Sequence, residues 1–382
     1  MGYRRSNGQI GIRNHLLIIP TVICANQVCN RIAQLVPDTV AIPHQHGCSQ
    51  IGADKERTFN VLAGTGKNPN VGAVLIISLG CEVIDPNELA DAIRVTGKPV
   101  EVLDIQTVGG SVKTIQQGAE AARRLKRELD RMEKVSVPLH ELIVGVKCGG
   151  SDATSGLSSN PALGKAADIL IREGGSIIIG ETTEIIGAEH VLAARCASPE
   201  VSERLYYIVD RFEREVERMG ADMRGGNPSP GNIAGGLTTI EEKSLGCISK
   251  CGTAPIRGVV EYAEPLPGKG LYFMDSPGND IECVSGMAAG GAHLVCFTTG
   301  RGTPTGAAVV PVVKITGNKR TFERMSDNID VDVSGMLDGV MTLEEAGETI
   351  WREIVEVAGG KLTKAEILGH QEFSINRIGP SL

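Results

Sequence analysis

Short apolar runs at residues 16–22, 39–42, 73–79 and 100–103 alternate with stretches at 25–36, 54–62, 88–95 and 111–134, where apolar positions recur at helical spacing. Runs of this length without polar alternation read as strands buried on both faces, and the intervening stretches as amphipathic helices. Strand and helix in regular alternation predict a parallel sheet covered by helices on both sides.

The pattern restarts near residues 134–140. A strand is predicted at 141–146, a helix at 161–173 with Pro161 in its first turn, a strand at 176–180 and a long charged helix at 199–219. Residues 222–236 are too rich in Gly, Pro and Asn for regular structure and read as a functional loop. Strands then follow at 271–274, 294–297 and 309–315, and a closing helix at 343–358. The expected fold is α/β, with open, mostly parallel sheets in two Rossmann-like units, 1–136 and 137–221. A C-terminal α/β region, 222–382, begins with the glycine-rich loop.

Composition sharpens this picture in three ways. Glycine supplies 48 of 382 residues, roughly twice its usual share, and clusters after apolar runs without a period, as in turns that cradle small anions. A formal net charge of −8 argues against a nucleic-acid binder, which needs a basic surface. No apolar run reaches membrane-spanning length and the start has no apolar leader segment, so neither a membrane span nor export is expected. Ten cysteines are then expected as free thiols in a cytoplasmic protein.

In an open parallel sheet, ligands bind beyond the carboxyl ends of the strands. Six predicted strand ends deliver reactive groups there: His44 to Cys48, Gly80-Cys81-Glu82, Lys147 to Asp152, Glu181, Asp275, and Thr298 to Gly302. His, Cys and carboxylate together suit an iron(II)- or zinc-like ion, whereas magnesium favours oxygen alone. Each residue also has a plainer explanation: His44 and His46 as hydrogen-bonded loop histidines, the cysteines as small buried hydrophobes. Glu181 ends an apolar strand, where an unpaired carboxylate would be costly, so it requires a metal or a cation. Arg13, Lys243, Lys250 and Arg301 form the anion-binding side. Cys247 and Cys251 have a spacing that hints only weakly at an iron–sulfur cluster.

The motifs in order are Gly11 to Asn14, His44-x-x-Gly47-Cys48, Leu79 to Glu82, Cys148 to Asp152, Asn160 to Gly164, Gly235 to Gly246, Met274 to Gly278 and Phe297 to Gly302. In these the chain resembles the altronate/galactarate dehydratases over roughly residues 2 to 330. The resemblance implies iron(II)-dependent (or manganese-dependent) loss of water from a sugar acid such as altronate or galactarate, giving a 2-keto-3-deoxy acid. It also implies a separate small subunit of the SAF type, since Met1 runs almost directly into the Gly11 motif, and an oligomeric assembly. The tail, from Met325 to Val333 and Leu368 to Phe373, and Glu181 to Glu184, are closer to a sister branch, the sulfolactate sulfo-lyases, which release sulfite. With the strand ends, these motifs nominate His44, Cys48, Cys81 and Cys148 as metal ligands. They nominate His44, Glu181, Asp275 and Lys243 as acid–base groups, and Arg13, Asn14, Ser151, Asp152, Lys250 and Arg301 as substrate contacts. Two other classes compete. An NAD-dependent dehydrogenase lacks its glycine fingerprint after the first strand. A non-catalytic sugar-acid-binding protein needs neither so many thiols nor so few aromatics.

Overall fold

A computed structural model of the chain describes residues 1–380. A small antiparallel ribbon, β1 (Tyr3–Arg4) with β2 (Ile10–Gly11), precedes the first sheet. That sheet holds β3 (His15–Pro20), β4 (Thr39–Ala41), β5 (Val71–Ser78) and β6 (Val100–Asp104) in the order β4-β3-β5-β6, all parallel. All eight residues of β5 are buried, as a central strand covered on both faces requires. Its residues divide by parity. Ala73, Leu75 and Ile77 pack with the helices Asn26–Leu35 and Ser111–Asp130, whereas Val74 and Ile76 pack with Gly52–Lys67 and Pro86–Arg94. Each fully buried Leu or Ile in these layers contributes about 1.5–3 kcal/mol.

The second sheet holds β7 (Ile143–Cys148), β8 (Ser176–Ile179), β9 (Ile256–Val260), β10 (Leu271–Met274), β11 (Leu294–Thr298), β12 (Val312–Thr316) and β13 (Val331–Asp332). Its order is β13-β12-β11-β7-β8-β10-β9, again parallel throughout. Strands from both sides of residue 222 therefore interleave in one sheet, so the expected division at 221/222 does not separate two layers of structure. The reason is a long crossover: the chain leaves β8, runs through the helix Pro199–Arg218 and the glycine-rich segment, and returns beside β8 as β9 and β10.

One face of this sheet packs under the helices Asn160–Arg172 and Leu343–Ala358. The other face, through Ile178, Tyr272, Met274, Val295 and Phe297, shares one apolar cluster with Val61, Leu62 and Leu89 of the first unit. The helix Asp280–Ala289 lies in that shared layer against Gly52–Lys67. The pattern of apolar positions did not predict this helix, because its apolar side is built from small residues in Ser285-Gly286-Met287-Ala288-Ala289. It also missed β9, an edge strand with polar Arg257 exposed. The glycine-rich segment, expected as loop, contains two single-turn helices, Met223–Gly226 and Pro230–Ala234, each started by a side-chain cap from Asp222 or Ser229. No described helix is long and apolar enough to cross a membrane.

Candidate active site

Parallel strands align their carboxyl ends, so each sheet gathers its strand-end loops along one edge. At the edge of the first sheet, His44 is buried with both ring nitrogens engaged. Nε2 donates to the Pro20 carbonyl at 2.7 Å, and Nδ1 accepts the His46 N–H at 3.1 Å. Burial pushes its pKa down to about 4, so the ring is neutral and has no free nitrogen to ligate a metal or take a substrate proton. His46 Nε2 is hydrogen-bonded to the Ile375 carbonyl at 2.9 Å. Cys48 and Cys81 are exposed, and neither joins a cluster of metal-donor groups among the described residues. Glu82 folds back on its own loop and accepts the backbone N–H groups of Leu79, Gly80 and Cys81.

Arg13 and Asn14 are structural. Arg13 pairs with Glu366 at 2.7 Å and donates to the carbonyls of Ile12, Val357 and Lys361. Asn14 accepts from Arg5 at 2.6 Å and donates to the Leu129 carbonyl at 3.0 Å. Both join segments distant in sequence and leave no donor for a substrate.

The edge of the second sheet is different. Lys147 and Cys148 end β7, and Glu181 follows β8 after Gly180. The Glu181 backbone is in the left-handed region at φ 70°, held there by its N–H donating to Ser276 Oγ at 2.8 Å. Non-glycine residues in that region carry about 1 kcal/mol of strain or more. The carboxylate is fully buried and meets two ammonium groups, Lys147 in direct contact and Lys250 at 2.9 Å. Burial alone would raise its pKa, but the two lysines outweigh burial and hold it below the usual carboxylate range. Against a burial that favours the neutral amine, Glu181 and Asp280 raise the pKa of Lys147, and Cys148, Cys247 and Glu181 raise that of Lys250.

Cys148 Sγ lies 3.5 Å from Cys247 Sγ and 3.4 Å from Lys250 Nζ, and Lys250 reaches Cys247 at 2.6 Å. The hydrogen bond between the two sulfurs lowers the Cys148 pKa and raises that of Cys247. Two buried ammoniums thus face the Glu181 carboxylate and the two cysteine sulfurs. Cys247 lies in the last turn of the helix Ile240–Ile248, with Lys250 three residues on in the turn Ser249–Cys251, a spacing that puts both on one side.

Cys148 is also the floor of a cavity of about 400 Å³. Gly149 turns the chain away beneath it, where a Cβ would come within 2.6 Å of Asp280 Oδ1. Asp280 pairs with Lys147 at 2.9 Å and is about one-third exposed. Lys243 and Arg301 line the cavity as well. Lys243 is held by Glu184 at 2.9 Å and Asn227 at 2.8 Å, while Glu184 Oε2 has no hydrogen-bond partner.

Of the residues nominated from sequence, the structure brings together Cys148, Glu181 and Lys250 in the cluster, and Ser151, Lys243 and Arg301 at the cavity. Asp152 is a loop clamp: its Oδ1 accepts from Thr154 and Ser155, and its Oδ2 from Asn318 at 2.8 Å. Asp275 is taken up by Thr182 at 2.5 Å and by Arg211 of the helix Pro199–Arg218. Sequence reasoning placed Lys147 at a strand end and Cys247 only in a weak iron–sulfur hint, gave neither a role at this site, and passed over Asp280. The cost argument that singled out Glu181 applies equally to a lysine inside Val144-Gly145-Val146-Lys147, and the spacing of Cys247 from Lys250 was the signal for the thiol.

Cys148 Sγ, Cys247 Sγ and a Glu181 oxygen lie within 4.8 Å of one another. Two sulfurs and one carboxylate are a borderline-to-soft donor set, fitting an ion such as iron(II) or zinc better than magnesium. Of the four ligands expected from sequence, this candidate set keeps Cys148 alone.

A parallel α/β fold with a charge-compensated thiol cluster beside a cavity lined by Lys243 and Arg301 defines an enzyme-like site. Residues 2–130 match the family model described as D-galactarate dehydratase/altronate hydrolase, second domain, and residues 139–381 the D-galactarate/altronate dehydratase C-terminal model. The chain is 42% identical to the (2R)-sulfolactate sulfo-lyase subunit beta of Chromohalobacter salexigens, over 99% of this chain and 97% of that protein. It is 37% identical to the altronate dehydratase of Bacillus subtilis, over 100% of this chain and 78% of that protein. It is 33% identical to the galactarate dehydratase of Escherichia coli, over 94% and 72%. The chain belongs to the D-galactarate/altronate dehydratase family of lyases.

Proposed function

We propose that the chain is the large subunit of a lyase that eliminates sulfite from a small sulfonated 2-hydroxy acid of the sulfolactate type. The observation that carries this reading is the 42% identity to a sulfo-lyase subunit beta over 99% of this chain, against 37% and 33% to the altronate and galactarate dehydratases. The cavity agrees: two cationic side chains, Lys243 and Arg301, line it, suiting a compact dianion with a carboxylate at one end and a sulfonate at the other. The subunit name of that relative also supports a separate small partner for this chain.

Loss of the C2 proton and of the C3 substituent yields an enol, which becomes a 2-keto acid. In this reading Arg301 binds one anionic end and Lys243 faces the other. Glu184 Oε2, which lacks a partner, accepts the C2 hydroxyl and orients it. Asp280, the part-exposed carboxylate fixed by Lys147, takes the C2 proton. Lys147 and Lys250 hold the cluster negative groups ionised without water. Cys148, Cys247 and Glu181 would hold the divalent ion, iron(II) in the family reading, which supplies Lewis-acid polarisation of the hydroxy-carboxylate.

The test is an anaerobic assay with iron(II) on sulfolactate, altronate and galactarate, with and without a co-expressed small subunit of the SAF type. Sulfite with a 2-keto acid is the expected product. Formation of a 2-keto-3-deoxy acid from altronate or galactarate, without sulfite from sulfolactate, would replace this reading with the dehydratase one, in which water is the leaving group at the same site.

A further inference from the structure

We propose that Cys148 and Cys247 form a reversible disulfide when a hydroperoxide enters the cavity, making the site a thiol-based oxidation switch. The inference rests on the active-site reading only for its effect on turnover; the covalent change stands by itself. The two sulfurs are 3.5 Å apart and need to approach by about 1.5 Å to reach a disulfide bond length. This is the one thiol–thiol hydrogen bond among the described residues, although the chain carries ten free cysteines. Both sulfurs sit against the same ammonium, Lys250, which favours the anionic nucleophile at either position.

Access is asymmetric. Cys148 lines the cavity, while Cys247 is buried and does not. A peroxide therefore meets Cys148 first, and Cys247 is the resolving thiol behind it. In the first step the Cys148 sulfur attacks a peroxide oxygen: an S–O bond forms, the O–O bond breaks, and the departing hydroxide (an alkoxide from an organic hydroperoxide) leaves as water (or the alcohol) with the Cys148 thiol proton. In the second, Cys247 attacks the Cys148 sulfur: the S–S bond forms, the S–OH bond breaks, and the hydroxide leaves as water with the Cys247 proton. Two electrons pass from the thiol pair to the peroxide. The disulfide draws Cys148 Sγ towards Cys247 and away from the cavity, and removes both thiols from the donor set around Glu181. Cys24, Cys48 and Cys81 are exposed and serve as internal controls for indiscriminate oxidation.

The experiment treats the full chain with an equimolar amount of hydrogen peroxide, blocks remaining thiols by alkylation and maps tryptic peptides without reduction. Cleavage after Lys147, Lys165, Lys243 and Lys250 isolates Cys148 in residues 148–165 and Cys247 in residues 244–250. The expected main product is these two peptides linked, lighter by two hydrogen atoms than their sum, and separated by dithiothreitol. In Cys247→Ser the linked species is absent and Cys148 stops at the sulfenic acid with one equivalent of peroxide, reaching the sulfinic acid with a second, whereas Cys48→Ser leaves the link unchanged. Wild-type protein in which Cys247 is alkylated while Cys148 is free or sulfinic would overturn the proposal, as would linkage of Cys148 mainly to another cysteine. Because the readout is mass, it stands whichever substrate the lyase assay identifies.

Discussion

The two sheets present the same kind of edge and put it to different use. On the first, His44, Cys48, Cys81 and Glu82 follow strand ends as an active site would require, yet each is either satisfied by backbone or open to solvent. On the second, Lys147, Cys148, Glu181, Cys247 and Lys250 are buried and satisfy one another. A polar residue satisfied by backbone costs little and does no chemistry. Charged groups in the interior are held there by one another, and that mutual dependence separates the second edge, the one proposed as the active site, from the first.

The comparison breaks first at Glu181. Glu181→Ala would leave two buried ammoniums without their carboxylate, and we expect a loss of about 3–5 kcal/mol in urea unfolding. Glu82→Ala, on the part-exposed loop of the first sheet, should cost far less; equal losses would erase the distinction. Next is Asp280→Asn, expected to lower kcat on the order of a hundredfold with little change in melting temperature. A variant with normal kcat would remove Asp280 from the proton-transfer role. Arg301→Ala should raise KM about tenfold at nearly constant kcat, as expected for loss of a charged contact made before and during reaction; a fall in kcat alone would place Arg301 elsewhere.

The acid limb tests the first sheet. His44 titrates near 4 when folded against 6.5 as an ordinary histidine, so the unfolded chain binds the extra proton in between. Its contribution to stability is complete above about pH 6.5 and is lost as pH falls towards 4. In His44→Gln this part of the pH dependence should flatten in chemical denaturation, and activity at neutral pH should persist. Loss of activity there would restore His44 as a catalytic group. The smallest effect is expected for Cys48→Ser, within about 0.5 kcal/mol in stability and without change in turnover, whereas Cys148→Ser abolishes it.

The run of apolar segments was sufficient to determine an open, parallel α/β fold, because a strand buried on both faces must be apolar at nearly every position, and β3, β5, β7 and β11 are. It did not determine that strands on both sides of residue 222 share one sheet. The sequence also named strand ends of both sheets as places for reactive groups and, through the cost of an unpaired buried charge, required a partner for Glu181. The identity of that partner was not legible. Lys147 lies 34 residues and Lys250 69 residues from Glu181, and their meeting depends on a crossover that returns the chain beside β8. Nor could sequence distinguish Arg13, an anchor for Glu366 and Lys361, from Arg301 at the cavity, since both are arginines beside glycine-containing turns. Local pattern determines what each segment is, because burial and periodicity act over neighbours. Only the tertiary structure decides which charges share a dry space, because electrostatic compensation acts between groups that the fold alone brings within a few ångströms.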